Sequence, residues 1–547
     1  MFRIHVQIIL IGLAFSVSCT DSSQNHNGKT VFRYNEASGV SSLDPAFARG
    51  QADVWACNQL YNGLLQMNDS LEVMPCIAES FGVSADGLEY RFKLRNDVFF
   101  HDSPVFPRGK GRRVVASDFK FSFDRILEPS TLSPGTWVFN QVLRDSSGKP
   151  SFSCIGDSIF IIRLSKPFPA FAGLLTTQYC SVVPHEVVEH FGKEFRKNPV
   201  GTGPFKLFIW EERTALVFHK NENYFEYHLG ERMPFVDAVS ISFLSDKQAA
   251  FMEFVKGKLD FISGLDASYK DELLDRNGNL REKYRGRFLM DKAPYLNTEY
   301  LGILMDLEKS EGVTNPLNDI RIRKAINYGF DRVKMIRYLR NGIGTPGIYG
   351  MVPPGMPGFD AKQVLGFAYD PQKTRDLLKE AGYPNGQGLP EIKLSTTKEY
   401  QDLCEFMQGQ LAESGIRVRV EVNQGATHRE MVAKQKLPFF RGSWIADYPD
   451  AENYLSLLYS PNHAPVGPNY THFSSTMFDS LYARAMVEVD ANNREVQYIA
   501  MDQLAMSQSP VIVLYYDEVV RLRRTNISGL GMNAMNLLTL KKVRVKK

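Results

Sequence analysis

Apolar and polar positions alternate with a period of two through Gly87–Phe100 (GLEYRFKLRNDVFF). Leu88, Tyr90, Phe92 and Leu94 fall on one face and Glu89, Arg91, Lys93 and Arg95 on the other, the pattern of a strand with one buried face. The period then lengthens. Ser117 is placed to cap a helix that carries Phe119, Phe123, Ile126 and Leu127 at helical spacing. Lys247–Ile262 predicts a helix with Phe251, Phe254 and Val255 on its apolar side, followed by a short strand through Leu259–Ile262. Asp319 opens another helix. Asp370-Pro371 supplies a cap and a first-turn proline, with Gly382 as the stop. Leu403–Gly415 is again helical, and Ile416, Val418, Val420 and Val422 alternate as a strand after it. Strand and helix signals interleaved in this way predict a mixed α/β architecture. Asn341–Gly358 and Pro384–Pro390 are Gly/Pro-rich loops, and no internal repeat or long charge run interrupts the pattern. The basic tail Lys541–Lys547 reads as a solvated strand end.

Size and charge narrow the function classes. At 547 residues the chain is long enough for roughly three to four structural units and for a core that needs no disulfide or metal staple. Apolar residues make up 44% and aromatics 12%, so disorder is excluded as a general description. Sixty-four Lys and Arg against 61 Asp and Glu give a net charge of +3, too balanced for a nucleic-acid binder. The first residues carry an address. Arg3 precedes an apolar run, Val6–Val17, too short to span a bilayer, and Ser18 stands before Cys19. This resembles a bacterial lipoprotein signal, with Ser16 departing from the commoner Leu-like residue. The reading is a signal peptide over 1–18, a lipid-modified Cys19 and a polar tether over 19–28; an ordinary secretory peptide is the alternative. No other stretch reaches about 18 apolar residues. The remaining five cysteines form no CxxC pair and read as isolated buried thiols.

Two motifs invite catalytic readings and fail on spacing. His185 and His190 flank Glu186 and Glu189 at i and i+5, off the shared face that a zinc peptidase helix requires. Gly342-x-Gly344-x-x-Gly347 contains Pro346 and opens no helix, so it is no dinucleotide loop. With no nucleophile–base set, no metal set and no cofactor motif, the chain reads as a non-enzyme, and a secreted hydrolase is disfavoured.

Four segments, in order, resemble solute-binding protein family 5, the peptide- and nickel-binding receptors of ABC importers. They are Ala78–Ala116 (AESFGVSADGLEYRFKLRNDVFFHDSPVFPRGKGRRVVA, with a short insertion near Pro107–Arg112), Asn198–Phe205 (NPVGTGPF), Tyr300–Arg332 with LGILMD and DIRIRKAINYGFDR, and Arg441–Leu455 (RGSWIADYPDAENYL). The resemblance implies a two-lobed, type II periplasmic-binding-protein-like α/β fold. Lobe I would hold 29–293 plus 511–547, with an extra subdomain over about 55–196; lobe II would hold 294–510. Hinge strands would lie near Lys292–Thr298 and Ser507–Val513. It also implies a site. Asp447 would hold the α-ammonium of a short peptide, Arg441 its carboxylate, and the backbones of Ser443 and Ile445 its main chain. Trp444 would be pocket wall or packing, Val40 would add backbone contacts, and Asp450 and Glu452 could share the role of Asp447. The implied partners are the peptide, the permease subunits of an ABC transporter and a membrane reached through the lipid anchor, for a monomer in the periplasm that binds no nucleic acid. An oligosaccharide, a metallophore, nickel or haem is the alternative ligand on the same fold.

Overall fold

The computed structural model describes residues 28–306 and 315–546. The signal peptide, Cys19 and all but the last residue of the tether lie outside the described residues. Labelled in chain order, the first strand is β1 (Val31–Asn35). A group of four follows: β2 (Ala78–Val83), β3 (Glu89–Leu94), β4 (Phe152–Ile155) and β5 (Ile159–Arg163). Next come β6 (Phe205–Glu211), β7 (Ala215–Lys220), β8 (Ala238–Ser242), β9 (Phe261–Ser263) and the 16-residue β10 (Phe288–Ile303). The last are β11 (Ile392–Thr397), β12 (Val418–Asn423), β13 (Phe439–Ile445) and the 14-residue β14 (Val511–Arg524).

One large sheet runs in the order β12-β11-β13-β10-β14-β9-β1-β8-β7-β6, with the short strand Thr345–Pro346 against β14. The strands from β9 to β6 belong to the first lobe; β12, β11 and β13, with the helices around them, belong to the second. Two strands serve both. Phe288–Pro294 of β10 pairs antiparallel with Arg524–Glu518 of β14, and β14 pairs there with β9. Further along, Asn297–Ile303 of β10 pairs with β13 on one side, and Thr298–Gly302 pairs with Tyr516–Val511 of β14 on the other. The register shifts between Pro294 and Thr298, opposite Glu518–Tyr516. At that break the Leu296 N–H donates not to the ladder but to the Ala534 carbonyl, at 2.8 Å. Ser507–Val513 holds the end of helix Ala491–Gln508 and the start of β14.

The β2–β5 sheet, order β2-β3-β5-β4, lies within residues 55–196. It has no core of its own: Phe92 and Phe160 join Phe32 and Tyr34 of β1 in one buried cluster. The NPVGTGPF turn locks against helix Gln51–Leu60. A Cβ on Gly201 would sit 2.1 Å from the Leu60 carbonyl oxygen, so only glycine permits the approach. The second lobe is built on two further clusters, one around Tyr300, Tyr454 and Tyr516 and one around Leu301, Ile326 and Leu411.

Local expectations hold with small changes. Asp319 and Asp370 cap their helices, accepting from the N–H groups of Arg321 and Lys373. The helix expected to start at Ser117 begins at Ala116, and the Asp118 carboxylate reaches back to the Val115 N–H at 2.9 Å. The strand expected over 87–100 is regular only from Glu89 to Leu94. Cys57, Cys76, Cys154, Cys180 and Cys404 are all free, and all but Cys154 are buried. No helix among the described residues is long and apolar enough to cross a membrane.

Candidate functional site

The RGSWIADY segment forms the end of β13 and the turn beyond it. β13 is short of neighbours: β10 pairs along its whole length, whereas β11 reaches it only at Ser395↔Phe440. Antiparallel pairing alternates between hydrogen-bonded and non-bonded positions. The Leu304 N–H donates to the Pro438 carbonyl and the Ala446 N–H to the Leu296 carbonyl, each at 2.9 Å. These bonds bracket the ladder at even positions, so Phe440, Gly442 and Trp444 bond to β10. The backbone groups of Arg441, Ser443 and Ile445 therefore point outward. His428 Nε2 donates to the Arg441 carbonyl at 2.8 Å. Ser443 and Ile445 are left presenting N–H and C=O groups to an edge where no strand pairs. Gly442 is required in between, because a Cβ there would meet the Tyr300 ring at 2.7 Å.

Three cavities line this edge and the space between the lobes. One of about 450 Å³ runs along Arg441–Trp444 and is walled by Tyr300, Tyr400, His428, Arg429 and Tyr470. A second, about 460 Å³, shares Glu399 and Tyr400 with it and reaches Tyr295, Arg340, Asp517 and, in the first lobe, Lys270. A third, about 200 Å³, shares Ser263–Leu265 with the second and is bordered by Glu36, Trp55 and Lys247.

The sequence-predicted residues divide among these surroundings. Asp447 lies two residues past the end of β13. Tyr448 beside it stacks on Trp137 of the first lobe, ring centres 6.5 Å apart, so the lobes face each other at this point. Asp447 is open to solvent, yet the surrounding protein desolvates its carboxyl and raises its pKa above the usual value, with Asn453 pulling the other way. It has no cationic partner among the described residues. Asn453 Oδ1 accepts from the Trp444 indole N–H at 2.8 Å and from the Asp447 N–H at 3.3 Å, which fixes the turn. Trp444 is half-buried, packed on the second lobe's core and lining the cavity beside β13. Ser443 lines that cavity as well, and Ile445 is half-exposed.

The remaining residues are placed differently from expectation. Arg441 already has a partner: its guanidinium pairs with Glu299 on β10 and lies over the Tyr400 ring. Both side chains are largely buried, 12% and 2% exposed, so the charges neutralise each other inside the protein. Burial pushes the Glu299 carboxyl up while Arg441 opposes the rise. Val40 packs against the first lobe's core and lines none of the three cavities. Glu452 is buried and accepts from the Tyr448 and Tyr482 hydroxyls. Asp450 accepts from the Glu452 N–H at 3.0 Å and lies 3.9 Å from Arg494 Nε. Glu452 is thereby turned into the core, away from the solvent to which Asp447 is open.

Sequence reasoning missed a charged network under the site. Arg340 donates to Asp517 at 2.7 Å and to the Tyr515 hydroxyl at 2.9 Å, and Asn297 Nδ2 lies 3.2 Å from Glu299 and 3.5 Å from Asp517. The one available signal was Glu299, an acid directly before the apolar run Tyr300–Ile303. Among the described residues no group of three or more His, Cys, Asp or Glu could hold a metal ion. An unpaired strand edge with a free carboxylate just beyond it can take an extended ligand through its main chain and hold a cation at one end.

Known proteins share this architecture. The sequence profile "Bacterial extracellular solute-binding proteins, family 5 Middle" matches residues 72–465. The glutathione-binding protein GsiB of Escherichia coli (strain K12) is 26% identical over 499 residues, covering 90% of each chain. HbpA2 from Haemophilus parasuis superposes with a TM-score of 0.82 at 22% identity, over 95% of this chain and 100% of its own. The ABC transporter-associated periplasmic binding protein DppA from Helicobacter pylori, in complex with the peptide STSA, superposes with a TM-score of 0.72 at 23% identity, over 95% and 98% of the two chains. The chain belongs to the bacterial extracellular solute-binding proteins of family 5.

Proposed function

We propose that this protein captures short peptides outside the cytoplasm and presents them to the permease of an ABC importer, held at the membrane by a lipid on Cys19. The observation that carries the reading is the free edge at Ser443 and Ile445, followed two residues on by the unpaired Asp447. A peptide added along that edge gains main-chain hydrogen bonds of about 1 kcal/mol each, which are indifferent to side chains. Its α-ammonium, with three donors, meets the acceptor-only carboxylate of Asp447. The first lobe, whose Trp137 stacks on Tyr448 beside Asp447, closes over the ligand by flexing β10 and β14 where their register shifts. Ligand favours the closed shape only by the contacts that both lobes make with it. The names of two relatives support a ligand with peptide bonds: DppA is recorded with a peptide, and the glutathione of GsiB is itself a tripeptide.

The test is calorimetry with trialanine and its N-acetylated form on the lipid-free protein. Trialanine is expected to bind, and acetylation, which removes the cation, to weaken binding by about 30-fold or more. Equal affinity for both forms removes the ammonium–Asp447 contact, and heat from neither removes the peptide reading.

A further inference from the structure

Resting on the peptide reading, the geometry points to Arg429, and not Arg441, as the residue that receives the ligand's terminal carboxylate, and so to a site built for peptides longer than two residues. Three observations carry it. The guanidinium of Arg441 is committed to Glu299 and stacked on Tyr400, and withdrawing it would leave a buried carboxylate without its cation. The carbonyl of Arg441 is capped by His428, so the edge open to a ligand stops at Ser443. Past that stop, the wall of the same cavity is formed by Arg429, the residue after His428 on helix Gly425–Ala433.

Arg429 is exposed and has no hydrogen-bond or ion-pair partner among the described residues. The one acid on the cavity wall, Glu399, makes no ion pair with it among the described residues and lines the adjoining cavity as well. A planar guanidinium free of internal partners, at the far end of an open backbone edge, suits a carboxylate taken bidentately.

The span sets the length. Asp447 lies six residues beyond Arg441, through the end of the strand and into the turn, at most roughly 20 Å at about 3.3 Å per residue. The Asp447 and Arg429 side chains each shorten the gap that the ligand must bridge. A dipeptide anchored at Asp447 leaves its carboxylate opposite Ile445 or Ser443, where no cation waits. A peptide of four residues or so, running antiparallel to β13, brings its carboxylate to Arg429.

The test is calorimetry of the lipid-free protein and of Arg429→Gln with tetraalanine, C-terminally amidated tetraalanine, N-acetyl-tetraalanine and dialanine. In the unmodified protein, amidation is expected to weaken tetraalanine by about tenfold, as loss of a charge-assisted bond does. Arg429→Gln should weaken tetraalanine to the same extent and erase the effect of amidation, leaving the two losses non-additive. Arg429→Lys should restore part of it. Dialanine affinity should not change with the substitution. If N-acetylation weakens binding while amidation does not, or if the amidation penalty survives in Arg429→Gln, the inference falls and the peptide reading stands. If no peptide binds, both fall.

Discussion

Two acidic centres a short distance apart in this molecule are treated in opposite ways. Beneath the strand edge, Glu299 and Asp517 are matched by Arg441 and Arg340 and tied together through Asn297, the first pair buried and the second partly exposed. At the end of the edge, Asp447 is left without a cation although the surrounding protein already makes its charge costly. The matched charges are neutralised within the fold, whereas the carboxyl of Asp447 fits the role proposed above, in which the ammonium of a ligand supplies the missing cation.

The sharpest way to break this comparison is to strip one partner from the matched centre. Glu299→Ala leaves Arg441 buried and unpaired, and urea denaturation should show a loss of about 3–5 kcal/mol. Replacing both Glu299 and Arg441 by apolar residues of similar volume should recover most of that loss. A stability unchanged in Glu299→Ala would mean that the pair is not buried in solution.

Asp502 provides a third kind of acid. It is buried, faces no cation, and accepts only from the Met351 and Val352 N–H groups, at 2.7 and 3.2 Å. Burial outweighs these two bonds and raises its pKa to about 6. The folded state therefore holds this proton more tightly than the unfolded chain does. Its contribution to stability is full below the ordinary carboxylate pKa of about 4 and is lost as pH rises through 6, about 3 kcal/mol in all. The stability difference between the unmodified protein and Asp502→Asn, followed by unfolding from pH 4 to 7, should show that decline and level off above 6.

Asp447→Asn should do the reverse of Glu299→Ala. It leaves folding stability within about 0.5 kcal/mol, or slightly higher, because an exposed carboxyl without a cationic partner is removed. It weakens binding of trialanine by about 2 kcal/mol, read by calorimetry. The smallest effect belongs to Ser443→Ala. Only its backbone is needed at the edge, so peptide affinity should stay within about 0.5 kcal/mol of the unmodified protein.

The sequence is most informative where one period dominates. The alternation in Glu89–Leu94 and the Asp caps at Asp319 and Asp370 are local features, and they appear in the structure as read. Finer features were harder to read. Ser117 is not the cap because Asp118, one residue on, closes the helix end, and the Val40 side chain packs against the first lobe's core. Asp447 and Ser443 could be singled out from the RGSWIADY segment through its resemblance to a family. The commitment of Arg441 to Glu299 could not, because the two lie 142 positions apart and meet only when β10 and β13 pair. Arg340, Asp517 and Arg429 carried no local pattern at all.

The long strands β10 and β14 have a last consequence. Because the same two ribbons are woven into both halves of the sheet, neither half can swing without twisting backbone that the other half also owns. Leu296, pulled out of register toward Ala534, lies where the closure proposed above would place that torsion. The protein therefore carries a built-in gauge of its own posture: deuterium uptake at the Leu296 amide should slow when cargo is aboard, while amides a few residues away on either side stay indifferent.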